Sequence, residues 1–214
     1  MRDEMKSTKT MLEELKRLLK EIEKTVKRQE EADSVDDRKS FEEQTEMVRI
    51  LGERFACNVR KFSLNTYSES RQKVYDKSAE ILGIEICKEG KKIVVDLPFL
   101  LPRKKDKDAK FVGDPLRHKF EQICENEDLK IRDKVVVCII HTYDNVNKKA
   151  KCYDFDNLES KRILDIITLY TMTDDSPKYC DVYHTVEFSD TDKTRVIIMP
   201  ADEFWKLKST GNFG

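Results

Sequence analysis

From residue 1 to about 32 the chain has neither glycine nor proline, and Leu12, Leu15, Leu19, Ile22 and Val26 recur at spacings of 3, 4, 3 and 4. Side chains three and four apart share one face of an α-helix, so this spacing predicts an amphipathic helix with an a/d seam flanked by Glu and Lys. The seam suits either a short coiled coil between chains or packing on a second helix of the same chain. Residues 33–37 interrupt the pattern and offer capping side chains. A second helix is expected over 38–62, with Phe41, Val48, Leu51, Phe55 and Val59 near one stripe and Gly52 inside it. A third is expected over 68–82, with Ser68 as its cap and Gly83 suited to the left-handed position after the last turn.

The pattern changes at Glu89-Gly90. Residues 91–98 are β-branched and short, which predicts a strand ended by Pro98. A basic loop follows. A helix is expected over 115–127, with Asp114 at its cap and Pro115 at its first position. Residues 134–141 form a continuous apolar run, which places this strand at the centre of a covered sheet. A helix is expected from Asn157 or Leu158 to about Leu169. Two closing strands, 179–188 and 194–199, flank the turn Ser189-Asp190-Thr191-Asp192 and predict a hairpin. The expected fold is therefore α+β: a helical region over 1–88, as a coiled coil or an intramolecular bundle, a mixed β-sheet with two packed helices over 89–202, and a flexible tail over 203–214. Trp205 is expected to cover the sheet edge.

Composition changes this picture in one respect. Charged residues make up 39% of the 214, against about 25% in an ordinary domain, so much of the helical region must be solvated surface. Net charge is −1, from 41 basic and 42 acidic residues, and gives no nucleic-acid signal by itself. The six cysteines show no Cys-x-x-Cys spacing and read as buried free thiols of a reducing compartment. The first 20 residues are charged throughout and no long apolar run follows, so a soluble cytoplasmic protein with no membrane contact is expected. His118, His141 and His184 are isolated in sequence and read as core or surface residues.

Candidate chemistry lies at Tyr153-Asp154-Phe155-Asp156-Asn157-Leu158 and at Thr173-Asp174-Asp175-Ser176. Two carboxylates two positions apart in an extended segment point to the same side. Beside a helix start they make a hard-oxygen site of the kind Mg²⁺ occupies with waters and phosphate oxygens. The same pattern occurs in calcium loops and plain helix caps. The EF-hand alternative fails because no glycine stands at the sixth loop position. Asp174 or Asp175 could supply a third carboxylate for in-line phosphodiester attack.

The order Asp96-Leu97-Pro98, basic loop, helix, apolar strand, Asp154-Phe155-Asp156-Asn157-Leu158, then Asp174-Asp175-Ser176 and two closing strands resembles the RusA family of Holliday-junction resolvases. The resemblance covers about residues 91–202 and includes the nineteen positions from Asp156 to Asp175. It implies a RusA-like sheet and Mg²⁺-dependent (or Mn²⁺-dependent) endonuclease activity on branched DNA in recombination and repair, in a phage or mobile-element setting. Asp154, Asp156 and Asp175 would be the catalytic metal ligands and Asp174 an accessory acid. Ser160 stands where the family usually has a lysine, with Lys161 next to it. That departure supports an alternative: a catalytically inactive RusA-like module that binds DNA or a protein partner. Candidate phosphate contacts are Arg103, Lys104, Lys105, Lys110, Arg117, Lys119, Lys151 and Lys161, which bracket the aspartates. A helix over 158–169 is ~18 Å long, so Asp156 and Asp175 meet only if residues 170–175 run back along it or a second chain supplies one of them. A homodimer is therefore expected, and the N-terminal helices offer a surface for a protein partner.

Overall fold

The computed structural model describes residues 2–34, 38–66, 71–104, 110–144 and 152–209. The chain divides into two compact units, Met1–Val74 and Tyr75–Gly214. This division falls before the expected boundary at residue 88 and lies within the third helix, α3 (Arg71–Ile81).

In the first unit, α1 (Arg2–Ser34) packs along α2 (Arg38–Thr66) of the same chain. Gln29 Nε2 donates to Thr45 Oγ1 at 2.8 Å and Asn58 Nδ2 to Glu14 Oε1 at 3.3 Å, so the two helices run antiparallel. The inward stripe of α1 keeps Leu15 and Ile22 of the expected seam but takes Met11 and Leu18 in place of Leu12 and Leu19. Leu18 and Thr25 are buried, with Met11, Leu15, Ile22 and Gln29 half-buried along the same line, whereas Leu12 and Leu19 are exposed. Polar side chains hold seam positions because they are satisfied locally: Thr25 donates to the Glu21 carbonyl at 2.7 Å, and Gln29 reaches Thr45.

In the second unit a five-stranded sheet runs in the order β1 (Glu85–Glu89), β2 (Lys92–Leu97), β5 (Lys193–Pro200), β3 (Val135–Asp144), β4 (Cys180–Ser189). All neighbours are antiparallel except β3 and β4, which are parallel. The apolar run of β3 is interior, between β5 and the edge strand β4, and buried for nine of its ten residues; the central position expected for it belongs to β5. One face, with Val95, Leu97, Val137, Ile139, Val196 and Ile198, packs under α4 (Lys110–Cys124) and α5 (Ser160–Thr171), which contribute Leu116, Phe120, Ile163, Ile166 and Ile167. The expected mixed sheet with two packed helices is thus present.

Several expectations need correction. The closing strands are not a hairpin: β4 and β5 lie on opposite sides of β3, and their short connection crosses the end of β3, where Asp192 Oδ1 accepts from the Asp144 amide at 2.8 Å. Residues 85–89 form an additional edge strand, hidden in the sequence by its charges and joined to β2 through Gly90 at φ +63°. α4 starts at Lys110, so Pro115 lies inside the helix and not at its start. Asn157 does not cap α5; it ends a 3₁₀ turn at Phe155–Asn157, and Glu159 precedes the helix. Most of the expected tail is helical. In α6 (Ala201–Ser209), Asp202 and Glu203 occupy the first turn and Lys206 and Lys208 the last, matching the helix dipole. Phe204 is buried against Val136, Cys138, Ile140 and Met199 on the second face of the sheet. Trp205 packs edge-to-face on Tyr183 of the edge strand β4.

Candidate functional site

The acidic segment is anchored at three points, Tyr153, Phe155 and Leu158. The Tyr153 amide donates to the Tyr143 hydroxyl at 3.2 Å. Phe155 stacks against His184 and His141, with ring centroids 4.9 and 5.6 Å apart. Leu158 is fully buried in the core and forms an isolated antiparallel bridge with Arg103. Asp154, Asp156 and Asn157 are exposed; Asp156 lies in the 3₁₀ turn Phe155–Asn157, so the extended run expected to set both carboxylates on one side is not formed. The Asn157 amide donates to the Asp154 carbonyl at 2.9 Å, and the Glu159 amide to the Pro102 carbonyl at 2.8 Å. The Arg103 guanidinium lies 5.1 Å from the Tyr153 ring centroid, so one candidate phosphate contact sits against the acidic segment.

Asp174 and Asp175 lie past the other end of α5. The Asp174 carboxylate accepts from the Asp175 amide at 2.9 Å, and hydrogen bonding, first from the Ser176 side chain, holds it below the usual carboxylate range. Asp175 faces the start of β4: burial, and then the Asp175 charge, push the Cys180 thiol up to about 11. Cys180 is level with Val135, the first residue of β3, whereas Phe155 packs beside His141, near its last turn of sequence. The two acidic pairs are therefore separated by the length of α5, ~18 Å for twelve residues, and one chain does not bring them together. Among the described residues no group of three His, Cys, Asp or Glu side chains could hold a metal ion.

The other candidates divide. Lys161 is exposed in the first turn of α5 beside Ser160, and Lys104 is exposed near Arg103. Arg117 interacts with Tyr170, whose hydroxyl donates to Glu121 at 3.0 Å and is pushed up to about 12 by burial and by Glu121. Lys119 follows it on α4, half-buried. Lys105, Lys151 and the side chain of Lys110 lie outside the described residues.

Two features have no counterpart in the motifs of the chain. The first is the contact between His141 and His184: Nε2 and Nδ1 are 3.3 Å apart and the rings nearly parallel. Only the parallel register of β3 and β4 reveals it. Burial, and then the neighbouring His184, hold the His141 imidazole down to about 4, and burial lowers His184 as well. The second is a groove of about 660 Å³ with Lys88, Lys91, Lys130, Arg132 and Lys134 at its walls. Its cations are largely neutralised. Lys88 pairs with Glu127 at 3.4 Å, Lys91 with Glu203 at 3.2 Å and Lys134 with Asp181 at 2.8 Å. Lys130 Nζ donates to the Met172 and Thr168 carbonyls at 2.6 and 3.2 Å, closing the C-terminus of α5. The expected burial of the cysteines also fails in part: Cys87, Cys124 and Cys152 are exposed, and Cys138 and Cys180 are buried.

The fold and these acids define an α+β protein whose sheet carries two separate carboxylate pairs at opposite ends of one helix. The chain belongs to a family described as "Family of unknown function (DUF6100)", which matches residues 3–209. No curated protein matches it. Among solved structures, the periplasmic domain of Helicobacter pylori MotB (residues 90–256) is 9% identical over 62% of this chain and 90% of that one, with a TM-score of 0.32. A periplasmic domain of MotB (residues 64–256) is 9% identical over 60% and 74%, with a TM-score of 0.33.

Proposed function

We propose that the second unit is a RusA-like endonuclease module that acts on branched DNA with Mg²⁺, as a homodimer. The observation that carries the reading is the presentation of Asp154 and Asp156: both carboxylates are exposed, on a segment fixed at Tyr153, Phe155 and Leu158. Donor chemistry fits, because Mg²⁺ is commonly held by one or two carboxylates together with waters and phosphate oxygens. The metal, when bound, supplies charge neutralisation at the scissile phosphate. Asp154 and Asp156 would hold it from one copy and Asp175 from the other, since α5 separates them within a chain. Arg103, Lys104 and Lys161 would position the DNA backbone through phosphate contacts that read shape more than sequence.

A second reading has its own support. Ser160 occupies the position of the family lysine, and the acid pairs are apart, which suits a module that binds DNA or a protein partner without cutting. No described helix is long and apolar enough to cross a membrane; a cytoplasmic setting is part of the proposal.

Cleavage of a labelled four-way junction in Mg²⁺ or Mn²⁺ separates the readings. The nuclease reading expects paired nicks near the crossover, a loss of at least ~100-fold in Asp156→Asn and in Asp175→Asn, and partial recovery when the two variants are mixed. Recovery arises because a mixed dimer keeps one intact shared site. Tight binding with no cutting by any form leaves the binding module.

A further inference from the structure

β4 is the outer strand of the sheet, and its edge is lightly protected, with two acidic side chains, Asp181 and Glu187, as its charges. Over ten residues it has no proline and no lysine. Its apolar side chains Val182 and Phe188 are 39% and 62% exposed. The Val135 amide donates to the Tyr179 carbonyl while Val135 stands opposite Cys180. In a parallel ladder this turns the odd-numbered backbone groups of β4 toward β3. The N–H and C=O groups of Val182, His184, Val186 and Phe188 then face outward.

We propose that β4 pairs antiparallel with β4 of a second copy, about a two-fold axis through Thr185, to form a continuous ten-stranded sheet. The strand complements itself in that register. Val182 stands opposite Phe188 of the other copy, His184 opposite Val186, Tyr183 opposite Glu187 and Asp181 opposite Ser189. The outward-facing residues form the hydrogen-bonded pairs, and the two exposed apolar side chains cover each other. Moving the axis to His184 sets Asp181 against Glu187, a like-charge pair. Moving it to Val186 sets Val182 against Asp190. Of these three, the axis through Thr185 is the one that sets the two exposed apolar side chains, Val182 and Phe188, against each other without opposing like charges.

The pairing also bears on the acids, and this part rests on the nuclease reading. Antiparallel pairing reverses the ends of the strand while keeping the α5 faces of both copies on one side. Phe155 stacks on His184, one position from the axis, so the Asp154–Asp156 segments of the two copies lie beside each other. Asp174–Asp175, near Cys180, lies toward the far end of each strand, and its sharing between copies needs a different contact.

The test is disulfide trapping in the full chain. Residues directly opposite in a non-hydrogen-bonded pair have Cα atoms about 4.5 Å apart, within the range a disulfide spans. Mild oxidation of Thr185→Cys at micromolar concentration is expected to give a covalent dimer, with mass spectrometry locating the disulfide between the two substituted positions and not at Cys87, Cys124 or Cys152. Adding Phe188→Lys, at an exposed position that leaves the circular dichroism unchanged, is expected to lower the yield at least ~10-fold. Absence of the 185–185 link, or a yield indifferent to Phe188→Lys, overturns the proposal. If the link forms and mixed Asp156→Asn and Asp175→Asn chains still leave junctions uncut, the interface stands and the nuclease reading falls. Cutting without the link has the reverse meaning.

Discussion

His141 is fully buried, and its ring is held neutral by burial and by its neighbour His184. An unfolded histidine titrates near 6.5. Between that value and about 4 the unfolded chain binds a proton that the folded chain refuses. The contribution of the neutral ring to stability is therefore present above about pH 6.5 and is lost as the pH falls toward 4. Its full extent is at most about 3 kcal/mol. Urea unfolding at pH 5.0 and 7.5 checks this: the wild type is expected to lose stability at the lower pH, and His141→Leu, apolar on the same helix-covered face, to lose less. An equal drop in both proteins would remove the histidine from the account. The carboxylates behave differently at this scale. Asp154 and Asp156 stood out in sequence as acids two positions apart, whereas the 3₁₀ turn that holds Asp156 did not, because the spacing read as extended chain. The histidine pair did not stand out either, because its two members are 43 positions apart and meet only through strand register.

At the scale of elements, the periodic segments were read well and their ends less so. α1, α2 and α3, β2, β3 and α5 all stand where apolar spacing placed them, within a few residues. β1 escaped because Glu85, Lys88 and Glu89 leave it no alternation of apolar and polar positions. The helix at 201–209 escaped because a single buried side chain, Phe204, ties it down. The β4–β5 hairpin was inferred from a short turn, and a short turn can equally step across the end of an intervening strand. Two glycines test the helices. A Cβ at Gly52 in α2 would meet nothing within 4 Å, so Gly52→Ala is expected to stabilise by about 0.5–1 kcal/mol. A Cβ at Gly113 in α4 would come within 2.7 Å of Arg162 Nε and 3.2 Å of Ile166 Cδ1. Gly113→Val is therefore expected to destabilise by about 1–3 kcal/mol through overpacking of α4 on α5. Thermal melts of both variants read the opposite signs directly.

For the molecule as a whole, the two units differ in how much they bury. Among the described residues the α1–α2 hairpin has two fully buried apolar side chains, Leu18 and Leu51, while the sheet unit carries the continuous core between its strands and α4 and α5. Burial stabilises by about 1.5–3 kcal/mol per large side chain, so the hairpin is expected to open first. The single tryptophan, Trp205, lies in the sheet unit. Helical circular dichroism is therefore expected to fall at a lower urea concentration than tryptophan fluorescence; coincident transitions would mean that the units unfold together. The β4–β5 connection across the end of β3 also dictates an order of assembly. β3 has both of its partners later in the chain, and its nearer one begins 36 residues after β3 ends (144 to 180). During synthesis the most apolar strand of the protein must wait, unpaired on both edges, until residues 180–200 have emerged. Pairing at such sequence distance is slow and leaves a β-prone segment open to aggregation. Chains truncated before residue 180 are accordingly expected to accumulate as insoluble material, with the segment Val135–Asp144 at the centre of the problem.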